Sequence, residues 1–206
     1  MRRSVRTVSN VALFLLALPL LVYCLGPGAP ALSQGTKPKA GSAKKQQPPP
    51  PRIQYGTEDL PGPVRELREV MLAAVQSGQI EELRHAYEAS DLKPDVGESA
   101  PGDPIAHWKR ISGDGEGREI LAALSLLLEA GYVVLPLGKD LENNRLYIWP
   151  YFAEFPLDKL SPAQEVELLR LVPPAAVREM KAKGKYTHWR LAIGADGSWH
   201  SFRKGE

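Results

Sequence analysis

Asp103 and His107 stand one helical turn apart, the spacing at which a carboxylate can orient an imidazole for acid–base work. Pro104 follows the aspartate directly. The same residue therefore also reads as an N-cap with proline in the first turn, opening a short helix through Trp108. Ser112-Gly113-Asp114-Gly115-Glu116-Gly117 alternates glycines with carboxylates. Ca²⁺ wants six to eight oxygens, and this loop offers two carboxylates without the third ligand or closing glutamate of an EF-hand loop. A phosphate cradle fits worse, because the two acids repel an anion and no P-loop Lys-Ser/Thr pair follows. The plainer reading is a flexible lead into the next helix, whose dipole favours acids at that end. The four histidines show no metal-ligand spacing. No Gly-x-Ser-x-Gly and no pair of catalytic carboxylates occurs. We therefore assign no catalytic residue, no metal ligand and no cofactor.

The residues assigned to ligand binding lie on two strands. Trp189, Leu191 and Ile193 alternate with His188, Arg190 and Ala192, and Ala195-Asp196-Gly197 supplies a turn before Trp199–Lys204 returns. If Gly197 takes the left-handed position of a three-residue loop, Gly194 pairs with Ser198 and Trp199 joins the Leu191/Ile193 face. Arg190, His200 and Phe202 then share the opposite face; a two-residue loop would swap the faces. An arginine beside aromatic rings suits an anionic, partly apolar ligand, through paired hydrogen bonds to carboxylate or phosphate. Trp149 and Tyr151 complete the candidate lining. They belong to Leu146–Phe155, where five of ten residues are aromatic in a chain that is 7% aromatic. That stretch reads as a largely buried strand, bent or edged at Pro150, which cannot donate to a ladder.

The elements that must position these groups are readable from period and caps. Val64, Leu67, Met71 and Val75 recur at helical spacing behind Pro63, and Gly78 suits a left-handed cap. Ile80, Leu83 and Tyr87 give a second, shorter helix. Asp91–Pro104 reads as loop. Ile120, Leu121, Leu124, Leu127 and Leu128 make the widest apolar stripe, and Tyr132–Leu135 reads as a strand. Asp140–Asn144 is a polar turn. Ser161-Pro162-Ala163-Gln164 has the form of a capping box, Pro173-Pro174 interrupts, and another helix runs to Gly184. The expected fold class is α+β: a helical N-terminal part on a curved, mainly antiparallel sheet that ends in a C-terminal hairpin.

The N-terminal segment is organised differently. Arg2, Arg3 and Arg6 precede an apolar run from Val11 to Leu25, followed by small residues up to Ser33. This is the order of a signal peptide, 1–33, cut to leave Gln34 first. The rival is an uncleaved anchor, although the run is shorter than the roughly 20 residues a spanning helix needs. Cleavage removes Cys24, the one cysteine, leaving neither disulfide nor thiolate. Residues 34–55 form a Pro/Lys-rich tether, with Pro48–Pro51 holding a short polyproline II rod. Lys37, Lys39, Lys44, Lys45 and Arg52 make the tether purely basic, a solvated spacer or a weak contact to membrane or wall polymer. Residues 56–206 form one domain.

From Ile53 onward 18 basic residues face all 24 acidic ones, a balance of −6 although the whole chain is +2. An acidic, exported domain excludes nucleic acid as its partner class.

Val70–Tyr87, V-M-L-A-A-V-Q-S-G-Q-I-E-E-L-R-H-A-Y, is similar to the entry helices of the nuclear transport factor two-like superfamily, which includes ketosteroid isomerase. That resemblance implies a cone-shaped sheet closed by helices. No catalytic Asp or Tyr of the isomerases matches a position here. W-K-x-x-S-G-D-G-E-G-R-E-I-L at Trp108–Leu121, with Y-I-W-P-Y at Tyr147–Tyr151, resembles small exported bacterial proteins of unknown function. Two functions follow. The preferred one is an exported, non-catalytic binding module of the cell envelope, periplasmic or secreted, for a small ligand or protein partner in an aromatic-lined groove. The other is a small isomerase- or hydrolase-like enzyme using Asp103/His107 or His188/His200.

Overall fold

The computed structural model describes residues 50–90, 93–97, 102–138 and 144–205. The signal segment, most of the tether and the Asp140–Asn143 part of the polar turn lie outside the described residues. The first helix, α1 (Gly62–Ser77), ends at Gly78 with φ of 70°, the left-handed cap that a glycine adopts without a Cβ penalty. A 3₁₀ turn at Ile80–Glu82 leads into α2 (Leu83–Ala89). α3 (Pro104–Ile111) opens where Asp103 accepts from the Ile105 amide, and α4 (Arg118–Glu129) carries the leucine stripe. Val64, Met71, Ile80, Leu83, Trp108 and Leu124 are all fully buried, so these helices turn one continuous apolar layer toward the sheet.

The sheet is an open, five-stranded antiparallel meander in the order β1 (Ile53–Gln54), β2 (Tyr132–Pro136), β3 (Arg145–Trp149), β4 (Trp189–Gly194) and β5 (Trp199–Lys204). Its register sorts the side chains by pleat. Tyr147 lies opposite Val134 and Ile193, and Trp149 opposite Leu191; these point at α1–α4. Val133, Ile148 and Ala192 align on the other face and meet α5 (Pro162–Leu171) and α6 (Pro174–Lys183). The chain is thus α+β, with helices on both faces of the sheet and the C-terminal hairpin β4–β5 at one side. α5 begins with a full capping box: Ser161 accepts from the Gln164 amide while the Gln164 side chain accepts from the Ser161 amide.

Two details differ from the sequence-based expectation. The aromatic stretch is not one bent strand. β3 stops at Trp149, the Trp149–Pro150 peptide is cis, and Tyr151–Ala153 forms a 3₁₀ turn. Leaving the ladder here lets Tyr151 and Phe152 pack under α5 and α6 instead of alternating across the sheet. The domain also begins earlier than residue 56. Ile53 pairs with Val133 and packs on the α5–α6 side, while Tyr55 meets the Tyr151 ring edge-on at 6.4 Å and donates to Glu167 at 3.1 Å. Composition assigned these residues to the tether because the flanking prolines and lysines dominate the window. A chain beginning at Gly56 is expected to lose about 2 kcal/mol relative to one beginning at Pro50, from the isoleucine contact and the aromatic pair. Urea midpoints of the two chains check this; equal midpoints would show that β1 contributes nothing.

Candidate functional site

The C-terminal hairpin decides which candidate residues come together. Its turn forms as the three-residue loop: Gly194 N–H donates to Ser198 at 2.9 Å, and Gly197 sits at φ of 83°. Trp199 accordingly joins the Leu191/Ile193 face. One residue later the ladder slips, so that Ile193 faces Trp199 but Ala192 faces Ser201, with His200 extra. An inserted residue of this kind is a β-bulge, and it turns every side chain beyond it to the other face. Phe202 therefore faces Leu191 inside the core, fully buried, with its ring 4.9 Å from Trp189 and 5.5 Å from Trp108.

The five candidate ligand-binding residues are dispersed as a result. Arg190 donates to Glu154 at 3.0 Å beside the 3₁₀ turn. Trp149 is buried 4.9 Å from the Tyr132 ring. Tyr151 is buried with its hydroxyl on Glu167 at 3.1 Å. Of the five, His200 alone reaches the groove described below. The acid–base pairs do not assemble either. The Asp103 carboxylate is taken by Arg84 at 2.7 Å and by its cap, and these bonds hold it below the usual carboxylate range, with the Arg84 bond the largest cause. The His107 ring meets Arg110 through Nδ1 at 2.9 Å. His188 and His200 lie at opposite ends of the hairpin. The His188 carbonyl accepts from Gly205, and burial, then Lys204, pushes its imidazole below the ordinary value.

The Ser112–Gly117 loop is ordered by its own acids. Asp114 accepts from the Ser112 hydroxyl and from the amides of Glu116, Gly117 and Arg118, and Glu119 accepts from Gly113 at 2.7 Å. The Ser112 bond first, then the amides, hold Asp114 below the usual carboxylate range. Its oxygens cap α4. That replaces the flexible lead expected from the glycines.

The groove is formed by α1, α2, the end of β2 and the hairpin turn, and has a volume of about 660 Å³. Leu67 and Val70 of α1, Ala86 and Ala89 of α2, and Leu137 make its apolar surface; Val70 and Leu137 are each about 40% exposed. Its polar groups are His85 of α2, Ser90 at the C-cap of that helix, and Asp196, Ser198 and His200 from the hairpin. Asp196 Oδ1 accepts from the Ser198 hydroxyl at 2.6 Å and from its amide at 3.0 Å. Those two bonds, the hydroxyl first, keep the Asp196 carboxyl below its usual range.

Gly194 is what allows this convergence. A Cβ there would lie 2.5 Å from Ser198 Oγ, 2.6 Å from Asp196 Oδ1 and 3.1 Å from His200 Nε2. Although serine, histidine and aspartate meet, the hydroxyl donates to the carboxylate and not to the imidazole. In a Ser-His-Asp site the imidazole takes the proton of the nucleophile, and that hydrogen bond is not made here. A smaller recess of about 60 Å³ adjoins the groove at Leu137, Asp196 and His200 and adds Asn144 and Arg145.

His85, Asp196 and Ser198 escaped the sequence reading. His85 sits on the polar side of a short helix like any solvated residue, and the other two read as ordinary turn chemistry. Among the described residues no helix is long and apolar enough to cross a membrane, and no cluster of three or more potential metal ligands occurs. No family model, no curated protein and no solved structure matches this chain.

Proposed function

We propose that this protein is an exported, non-catalytic binding module of the cell envelope, periplasmic or secreted, which takes a small amphipathic ligand in the α1/α2/hairpin groove. The observation that carries this reading is the groove itself. Its volume of about 660 Å³ falls within the roughly 300–1,000 Å³ of small-molecule sites, and it joins an aliphatic surface to a few convergent polar groups. The groove is aliphatic, not aromatic-lined as the sequence suggested, so the ligand's apolar part is better matched by an alkyl chain than by a ring. His85 and His200 favour an acidic head group; Asp196 is already held by Ser198. The charged, apolar and small-residue order of residues 1–33 supports export, and the −6 balance beyond the tether supports a partner other than nucleic acid.

Thermal shift with sodium octanoate, and with octyl glucoside as a neutral head on the same tail, tests the reading. Octanoate is expected to raise the melting temperature of the wild-type protein more than octyl glucoside does. Ala89→Phe fills the groove from an exposed position and is expected to abolish both shifts while leaving the unliganded melting temperature nearly unchanged. Equal shifts in wild type and Ala89→Phe, or none in wild type, would remove the groove as the binding site.

A further inference from the structure

A second cavity lies on the far side of the domain, where α4 ends and α5 passes over the 3₁₀ turn. Its volume is about 140 Å³, close to the roughly 150 Å³ of an engineered cavity that admits benzene, so it suits a group of side-chain size. Leu126, Leu171 and the rings of Tyr55 and Phe152 supply apolar wall, and Glu129 and Glu167 supply two carboxylates. Glu167 is oriented from two directions: Tyr55 donates to both of its oxygens at 3.1–3.2 Å, and Tyr151 donates to Oε2 at 3.1 Å. Two phenols do not exhaust a carboxylate with about four lone-pair sites. Tyr151 is pushed far above the ordinary phenol value, by burial first and then by the Glu167 charge, so it remains a donor.

Two carboxylates, Glu129 and Glu167, therefore set a negative potential at this cavity; the C-terminal end of α4 is already met by Arg68, which donates to the Leu128 carbonyl at 2.9 Å. The one cation in the lining is Arg170. It is 65% exposed and stands 3.9 Å from Glu129, a surface pair of little strength. Aromatic rings on the wall add the cation–π attraction that favours ammonium or guanidinium over a neutral group.

We propose that this cavity is a binding site for a small organic cation, an ammonium or guanidinium group on a short apolar stem, held by Glu167 and Glu129 against the Tyr55 and Phe152 rings. It is separate from the groove of the preceding section and does not depend on that reading. The test is calorimetric titration of the full chain with n-butylammonium and n-propylguanidinium, alongside butan-1-ol and butyrate as neutral and anionic probes of the same length. Saturable binding of at least one cation, with none of the alcohol or the acid, is the expected result. Glu167→Gln is expected to weaken it by about tenfold or more, as for loss of a charge-assisted hydrogen bond. Glu129→Gln removes the other charge without touching the tyrosine bonds, and keeps the test readable if the Glu167 variant does not fold. No saturable cation binding by wild type, equal binding of butan-1-ol, or unchanged affinity in the folded variants overturns the proposal.

Discussion

Trp199→Ala is expected to cost about 4 kcal/mol of unfolding free energy, a large part of the roughly 5–15 kcal/mol that ordinarily separates folded from unfolded chains. The indole is fully buried, stacked on Trp108 at 5.8 Å and met edge-on by Tyr87 at 6.4 Å. Removing it therefore leaves a cavity between the hairpin and the α2–α3 helices, and two rings lose a partner. Trp199→Phe should lose less than half as much. It keeps most of the ring packing and deletes a buried Nε1–H that finds no hydrogen-bond partner among the described residues. Urea unfolding of the two variants, with unchanged slope, measures both numbers. A Trp199→Ala loss below about 1 kcal/mol, the range of surface substitutions, would mean that the hairpin does not pack as described.

Gly197→Ala is the second large effect, and it links stability to the groove. At φ of 83° an alanine is strained, at roughly 1–3 kcal/mol. Its Cβ would also lie 2.8 Å from Pro63 Cβ and 3.0 Å from the Pro63 carbonyl oxygen. A backbone oxygen in the first turn of α1 cannot swing aside as a flexible side chain does, so the turn itself must move. The combined expectation is a loss of about 2–4 kcal/mol. Moving the turn also displaces Asp196, Ser198 and His200 from α1 and α2, so octanoate protection should fall beyond what lower stability explains. Gly138→Ala is the control. It too has positive φ, at 75°, yet nothing among the described residues lies within 4 Å of its added Cβ, so among them it carries the backbone strain without the clash. Equal losses for the two variants would show that the contact with Pro63 is unimportant.

What was legible in the chain was whatever rests on local hydrogen bonds and period. The Asp103 cap, the Ser161–Gln164 capping box, and the glycine stops at Gly78 and Gly184 all involve partners within a few residues. They form much as the side chains dictate in any context. The three-residue turn at Ala195–Gly197 was one of two loops the chain left open, and the Gly194–Ser198 hydrogen bond of the folded hairpin decides it.

The face on which Phe202 lies was decided otherwise. Strict alternation sends Trp199 and Phe202, three residues apart, to opposite faces. The folded chain buries both rings against α1–α4 by inserting His200 as a bulge, and Asp95 stabilises that edge by accepting from Phe202 and donating to His200, each at 2.9 Å. Two large aromatics at odd spacing in one strand were the available signal, but the partner at Asp95 is a hundred residues distant in the chain.

The same distance hid both cavities. The groove takes its surface from α1, α2, Leu137 and the hairpin, and the smaller cavity joins Tyr55, α4 and Glu167. By itself the sequence determined the main helices, their caps and the acidic balance beyond the tether, because these depend on neighbours and on sums. Which polar groups meet in a concavity depends on register and on packing between segments far apart, where one inserted residue exchanges a pocket wall for a core. Only the tertiary structure decided that.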